Sequence, residues 1–177
     1  QAVYTGLSAS GADVPRQLLW GTESFLFVLL AAFAGSAMVQ TTRLHLGWAA
    51  IAMAGVLNII QVGIGLTMFG PFFEVAGGNE ALAPLAQAVL AYSFMVYNAA
   101  KVLLALAAIV FGMAALNAGS KALGGVTALV GVIALIANTL SMTLGRGFSG
   151  ELPIAGASGV LVTVLLAACL FGQDNDD

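Results

Sequence analysis

Charge is nearly missing from this sequence. Asp, Glu, Lys and Arg make up 7% of its 177 residues, against about 25% in an ordinary soluble domain, while 60% are hydrophobic and the mean hydropathy is +1.03. A chain so poor in charge cannot cover itself with a water-facing surface, which excludes a soluble globular domain. Strict alternation of polar and apolar positions is missing as well. Stretches such as Val102 to Leu116 are apolar on every face, which excludes a transmembrane β-barrel. Because hydrocarbon offers no hydrogen-bond partners, a spanning segment must satisfy its own backbone. The chain is therefore read as an all-α, polytopic transmembrane helical bundle.

Other absences narrow the chemistry. The net charge of −3 and the acidic ending Asp174, Asn175, Asp176, Asp177 leave no basic patch, so nucleic acid is excluded as a partner. His45 is the only histidine, which rules out bis-histidine haem ligation, and no grouping of His, Cys and carboxylate stands at metal-ligand spacing. No serine has a histidine base on its side of the membrane, so a hydrolytic triad has no members to propose. A retinal Schiff base fits poorly with five spans and one intramembrane acid. The run Gly145-Arg146-Gly147 lacks the strand and helix context of a phosphate cradle and reads as turn chemistry. Cys169 stands alone in the last apolar run, cannot form an intramolecular disulfide, and reads as a small buried residue. No catalytic residue, metal ligand or required cofactor is nominated, and the sequence leans away from an enzyme.

What is present is apolar length. Counted against the roughly 20 residues needed to cross about 30 Å of hydrocarbon, the apolar runs place five spans near 18–40, 46–69, 88–116, 122–144 and 152–172. An extramembrane segment, residues 1–17, precedes them, and an acidic tail, residues 173–177, follows. Thr41-Thr42-Arg43 with His45 separates the first two spans, Asn117-Ala118-Gly119-Ser120-Lys121 the third and fourth, and Gly145 to Glu151 the last two, with Pro153 suited to a first helical turn. The longest connection runs from Gly70-Pro71 through Glu74, Gly77-Gly78-Asn79-Glu80 to Pro84. Residues 79–91 read as a short interfacial or re-entrant segment before the third full span, with a long tilted helix as the alternative.

Trp20, Trp48, Phe69, Phe72, Phe73 and Tyr92 fall near span ends, as an aromatic belt would. Basic residues do not decide orientation, since Arg43 and Lys121 on one side balance Arg16 and Arg146 on the other. The sequence opens Gln1-Ala2-Val3 without an initiator methionine, and loss of a secretory leader would leave the N-terminus outside. The expectation is a prokaryotic-type inner or plasma membrane with the N-terminus outside.

Small residues recur at helical spacing: Gly47, Ala50 and Ala54 in the second span; Ala105, Ala108 and Gly112 in the third; Gly124, Ala128 and Gly131 in the fourth; Gly156, Gly159 and Thr163 in the fifth. In lipid such stripes let backbones approach and mark helix-to-helix faces. Followed along their helices, they lead to polar residues: Asn58 and Gln61, then Tyr97, Asn98 and Lys101, then Asn138 and Ser141. Because successive spans alternate in direction, these and Glu23 all fall in the half of the membrane nearest the N-terminus. At about 1.5 Å of rise per residue, Glu23, Gln61, Lys101 and Asn138 lie roughly 8 to 14 Å below that surface.

An intramembrane charge costs roughly 2.5 to 3.5 kcal/mol on insertion scales, so such groups turn to the bundle interior and find partners. The expectation is that Glu23 and Lys101 approach each other in a polar pocket opening toward the N-terminal side, with Tyr97, Asn98, Gln61, Asn138 and Ser141 as hydrogen-bonding neighbours. The competing readings are a lysine that snorkels along its stem toward the headgroups and a pair that only sets helix register. Three functions follow: a subunit of a larger membrane complex, holding a bound lipid or quinone-like ligand in that pocket; a small oligomeric transporter or channel lined by Glu23 and Lys101; or an intramembrane enzyme acting on a lipid-soluble substrate. The partners implied are membrane lipids and other membrane subunits or further copies of the chain.

Overall fold

The computed structural model describes residues 13–145 and 154–173, and within them every regular element is helical. Helix α1 spans Asp13–Gln40 and α2 spans His45–Ile64. A π-helical turn, Gly65–Phe69, carries α2 directly into the short α3, Gly70–Gly78. A 3₁₀ turn at Glu80–Leu82 leads into α4, Ala83–Asn117, followed by α5, Lys121–Leu144, and α6, Ile154–Gln173. Among the described residues, five helical stretches are long and apolar enough to cross a membrane. The protein is an integral, multi-pass helical bundle. The connection holding Arg146, Glu151 and Pro153, residues 1–12 and residues 174–177 lie outside the described residues.

Local chemistry accounts for the turn that ends α4. At the end of α4, Gly119 takes a positive φ of 104°, the Gly119 N–H donates to the Leu116 carbonyl at 3.3 Å, and the Ser120 N–H donates to the Ala115 carbonyl at 3.0 Å. This pair of bonds is a Schellman closure, and glycine meets its left-handed requirement without a Cβ penalty. The turn between α1 and α2 uses Leu44 at φ 62° instead, an uncommon conformation for a non-glycine residue. The Leu44 side chain packs against the hydrophobic core, which holds it there.

The helix that contains the third span is long, in line with the alternative reading of this stretch. Helix α4 starts at Ala83 rather than near residue 88, with Pro84 in its first turn where a missing N–H is harmless. It runs unbroken for 35 residues, about 52 Å, well beyond the hydrocarbon thickness. Residues 83–91 are thus the opening turns of one long helix, and the segment that precedes the span consists of α3 and the 3₁₀ turn.

Helix α4 is the centre of the bundle, with α2, α5 and α6 packed around it; α6 also packs on α5, and α1 packs chiefly on α2. The closest approach is between α4 and α5. A Cβ on Gly124 would collide with the backbone nitrogen of Leu116 and lie 2.5 Å from the Gly112 carbonyl oxygen, and one on Gly112 would lie 2.7 Å from the Ala128 nitrogen. Lipid tails are as apolar as leucine, so helices gain little by hiding leucine from them and associate through close contact instead. Gly131 meets the Ala105 carbonyl in the same way, and Gly55 meets α1 at Phe27 and Ala31. Gly47 makes room for the ring of fully buried Phe111, which also meets Trp48 edge-on at 5.0 Å between centroids. In α6 the buried stripe is Ala155, Ser158, Gly159, Val162, Leu166 and Cys169. Gly156 and Thr163 face outward, so of the small-residue face read from the sequence only Gly159 is at a contact.

Gly124→Ala is expected to lower the unfolding midpoint in detergent by the equivalent of about 1 to 3 kcal/mol or more, since the methyl meets backbone that cannot yield. Gly77→Ala in α3, where an added Cβ meets nothing within 4 Å, should be neutral or slightly stabilising. Equal midpoints for the two variants would contradict the tight α4 to α5 seam.

Candidate functional site

Ser93, Tyr97 and Lys101 stand four residues apart in α4 and so share a face. Lys101 is half-buried, and its stem lies against α6 at Gly159, where a Cβ would come within 3.2 Å of the lysine Cδ. Glycine at that position leaves a slot for the methylenes. Helical side chains lean toward the N-terminus of their helix, and the Lys101 Nζ accordingly sits 5.2 Å from the centroid of the Tyr97 ring, one turn nearer the N-terminal surface. This is a cation–π distance, at which the ring face offsets part of the desolvation of the ammonium.

Glu23 lies on an exposed face of α1. It forms no ion pair with Lys101. Topology accounts for this: α1 packs chiefly on α2, while Lys101 belongs to α4.

Hydrogen bonding around these charges divides into two groups. Between α2 and α4, the Gln61 Nε2 donates to the Ser93 Oγ at 3.4 Å, one turn above Tyr97. Asn58 and Asn98 are buried and donate within their own helices, to the carbonyls of Ala54 at 2.8 Å and Phe94 at 2.7 Å. At the junction of α5 and α6, the Asn138 Nδ2 donates to the Ala134 carbonyl at 2.7 Å and to the Ala155 carbonyl at 3.4 Å, and Ser158 donates to the same Ala155 carbonyl at 3.3 Å. Two carbonyl acceptors fix the orientation of the Asn138 amide, because a flipped amide would set oxygen against oxygen. The Asn138 Oδ1 is left buried without a partner. Ser141, one turn on, is fully buried. Lys101 and Asn138 therefore meet α6 one turn apart, at Gly159 and Ala155.

Ser93 and Ser158 belong to this arrangement and were not singled out from the sequence. Ser93 was legible in principle as the residue one turn before Tyr97. Ser158 was not, because the face of α6 is decided by packing. The opposite half of the bundle is sealed by Ala105, Ala108, Phe111, Gly112 and Ala115, with the Cys169 Sγ donating to the fully buried Thr127 Oγ1 at 3.3 Å. Cys169 is a buried free thiol, a small residue joining α6 to α5. No group of three or more His, Cys, Asp and Glu among the described residues could hold a metal ion.

Comparison with known proteins found no family model, no curated relative and no solved structure that matches the chain.

Asn138→Leu is expected to leave the unfolding midpoint within the equivalent of about 1 kcal/mol of the parent. The Ala155 carbonyl keeps Ser158, and the substitution removes a buried acceptor that has no donor. A loss of several kcal/mol in ligand-free protein would show that the Asn138 Oδ1 has a partner that the helices do not supply.

Proposed function

We propose that the protein is an integral subunit of a larger membrane complex and holds a lipid or quinone-like ligand in the polar half of its bundle nearest the N-terminus. The observation that carries this reading is the open arrangement of Glu23 and Lys101. An intramembrane acid and base that served only to set helix register would gain most from direct contact. Here no ion pair joins them: the lysine is placed by Gly159 and Tyr97, and the acid is exposed on a helix that does not pack substantially on the lysine's own. A polar headgroup with both donor and acceptor atoms could bridge them, and the acyl or isoprenoid remainder would lie among the surrounding apolar side chains.

The subunit part of the reading rests on α1. That helix has one principal neighbour and turns Phe25, Leu26, Phe33 and Val39 outward. A transport role has less support, because a pathway needs polar lining or a wettable gate through the full thickness, and the other half is closed by buried alanine, glycine and phenylalanine.

Purification from the native membrane in a mild detergent should recover the chain with stoichiometric heterologous subunits, and recovery of the chain alone would overturn the subunit reading. Mass spectrometry of organic extracts should find a lipid-soluble compound bound to the parent and lost from Lys101→Met and Glu23→Gln. Both variants should keep the parental helical circular dichroism, since each removes a charge without adding bulk. Retention of the compound by both variants would place it elsewhere.

A further inference from the structure

Two hydrogen-bonding groups stand at one height in the polar half, and the helices satisfy neither. The first is the Asn138 Oδ1, on a side chain only 1% exposed and without a donor. The amide nitrogen already donates to the Ala134 and Ala155 carbonyls, so flipping the amide would set its oxygen against both of them. The second is the Lys101 Nζ. The Tyr97 ring lies beside it, and among the described residues no hydrogen bond or ion pair holds it.

Two helix registers bring these groups together. Along the α4 to α5 seam, Gly124 meets Leu116, and Gly131 meets Ala105 and Ile109. Carried onward in the same antiparallel register, Asn138 comes level with residues 98–102 of α4. Along α6, Lys101 lies on Gly159 and Asn138 on Ala155, one turn apart, and the lysine head leans back by about that turn toward Tyr97.

The largest cavity, about 410 Å³, is elsewhere. It opens where α1 meets the π-helical turn after α2, and its lining includes Arg16, Trp20, Phe69 and Phe73. Trp20 lies on the backbone at Gly65 and meets Phe69 edge-on at 6.0 Å, and Phe69 meets Phe73 at 5.9 Å. Arg16 has a contact within the protein, and no buried polar atom in that lining lacks a partner. The demand for a ligand group is therefore at Asn138.

We propose that the junction of α4, α5 and α6 binds a hydroxyl of a lipid-soluble hydroquinone, and takes this reduced form in preference to the quinone. The inference rests on the reading that the polar half holds a lipid or quinone-like ligand, and it names the form. A phenolic oxygen accepts from the Lys101 Nζ while its O–H donates to the Asn138 Oδ1, so one atom satisfies both groups. A quinone carbonyl only accepts. It satisfies the lysine and sets oxygen against oxygen at Asn138. Ionised phosphates and carboxylates fail for the same reason. Glycerol hydroxyls belong to the interfacial region, whereas this junction lies roughly 8 to 14 Å below the surface, within reach of an apolar ring. The ring enters by displacing a side chain, and Lys101 is the flexible one there, with a four-carbon stem resting on a glycine.

The test measures retention of a decyl-substituted benzoquinone on the immobilised, detergent-purified protein, oxidised in air or held reduced by dithionite under argon. Protein-free resin in the same detergent gives the partition blank. The parent should bind about one quinol per chain, tenfold or more tighter than the quinone, the penalty for leaving a buried acceptor unpaired. Asn138→Leu should erase this preference. Lys101→Met should weaken both forms alike and keep the preference, since both accept from the lysine. Gly70→Trp, which projects into the interfacial cavity from a position with open space, should change neither. The dimethyl ether of the quinol has the ring without an O–H and should bind the parent no better than the quinone, a comparison that stands even if Asn138→Leu does not fold. Equal binding of quinol and quinone, or of quinol and ether, would overturn the proposal and leave the quinone-like reading in place. Binding of neither form above the blank would overturn both. A preference that persists in Asn138→Leu, or binding lost from Gly70→Trp and kept in Lys101→Met, would overturn the assignment to this junction.

Discussion

Direct backbone contact between α4 and α5 is the constraint on which the rest of this structure depends. Gly112, Gly124 and Gly131 bring the two helices to a separation that leaves no room for a Cβ at these three positions. In a solvent as apolar as the side chains themselves, this contact replaces the hydrophobic effect as the source of association. It makes α4 the axis of the bundle, and α2 and α6 then take the remaining faces. Phe111 shows the consequence: its ring is wholly enclosed, seated on Gly47 and edge-on to Trp48. One end of the bundle is thereby filled with alanine, glycine and aromatic carbon around the single Cys169 to Thr127 hydrogen bond, and Gln61, Lys101 and Asn138 lie toward the other end.

The same close packing explains how a lysine survives within the spans. Glycine at 159 opens a slot for the stem of Lys101, the bias of helical side chains turns its head toward the N-terminal surface, and the Tyr97 ring receives it there. Snorkelling and interior placement, which look like alternatives on a helical wheel, are combined in one rotamer. Asn138 is the complementary case. Its amide donates twice to carbonyls, and its own oxygen is left without a donor, at a buried point one turn along α6 from the lysine. Together with the unclosed approach of Glu23, this leaves the polar half with more hydrogen-bonding capacity than the helices themselves consume.

The interfacial cavity beside Trp20 has a different origin. It comes from an irregularity, the π turn at Gly65–Phe69, where the long rise of α2 is re-aimed into α3. Trp20, Phe69 and Phe73 were recognisable as belt residues because amphipathic aromatic rings collect at span ends. That they form a wall around Arg16 was not recognisable, because a π turn has no sequence period of its own and depends on what packs beside Gly65.

The chain's own chemistry determines that it is helical, that five stretches are long enough to cross, and that Glu23, Gln61, Lys101 and Asn138 stand at similar heights along their helices. These follow from solvent and counting: hydrocarbon demands satisfied backbones, helices rise by a set amount per residue, and alternating spans map sequence position onto depth. The stripes at Gly47, Ala50, Ala54 and at Ala105, Ala108, Gly112 were legible for the same reason, since only small residues permit close approach. Neighbourhood was decided by the tertiary structure. Lys101 lies on Gly159 and Asn138 on Ala155 because α6 turns the 155–158–162 face inward, and Glu23 stands off from Lys101 because α1 packs on α2. Depth is a one-dimensional property that a sequence carries along its length. Which faces of which helices meet depends on packing among all of them, and no single span contains that information.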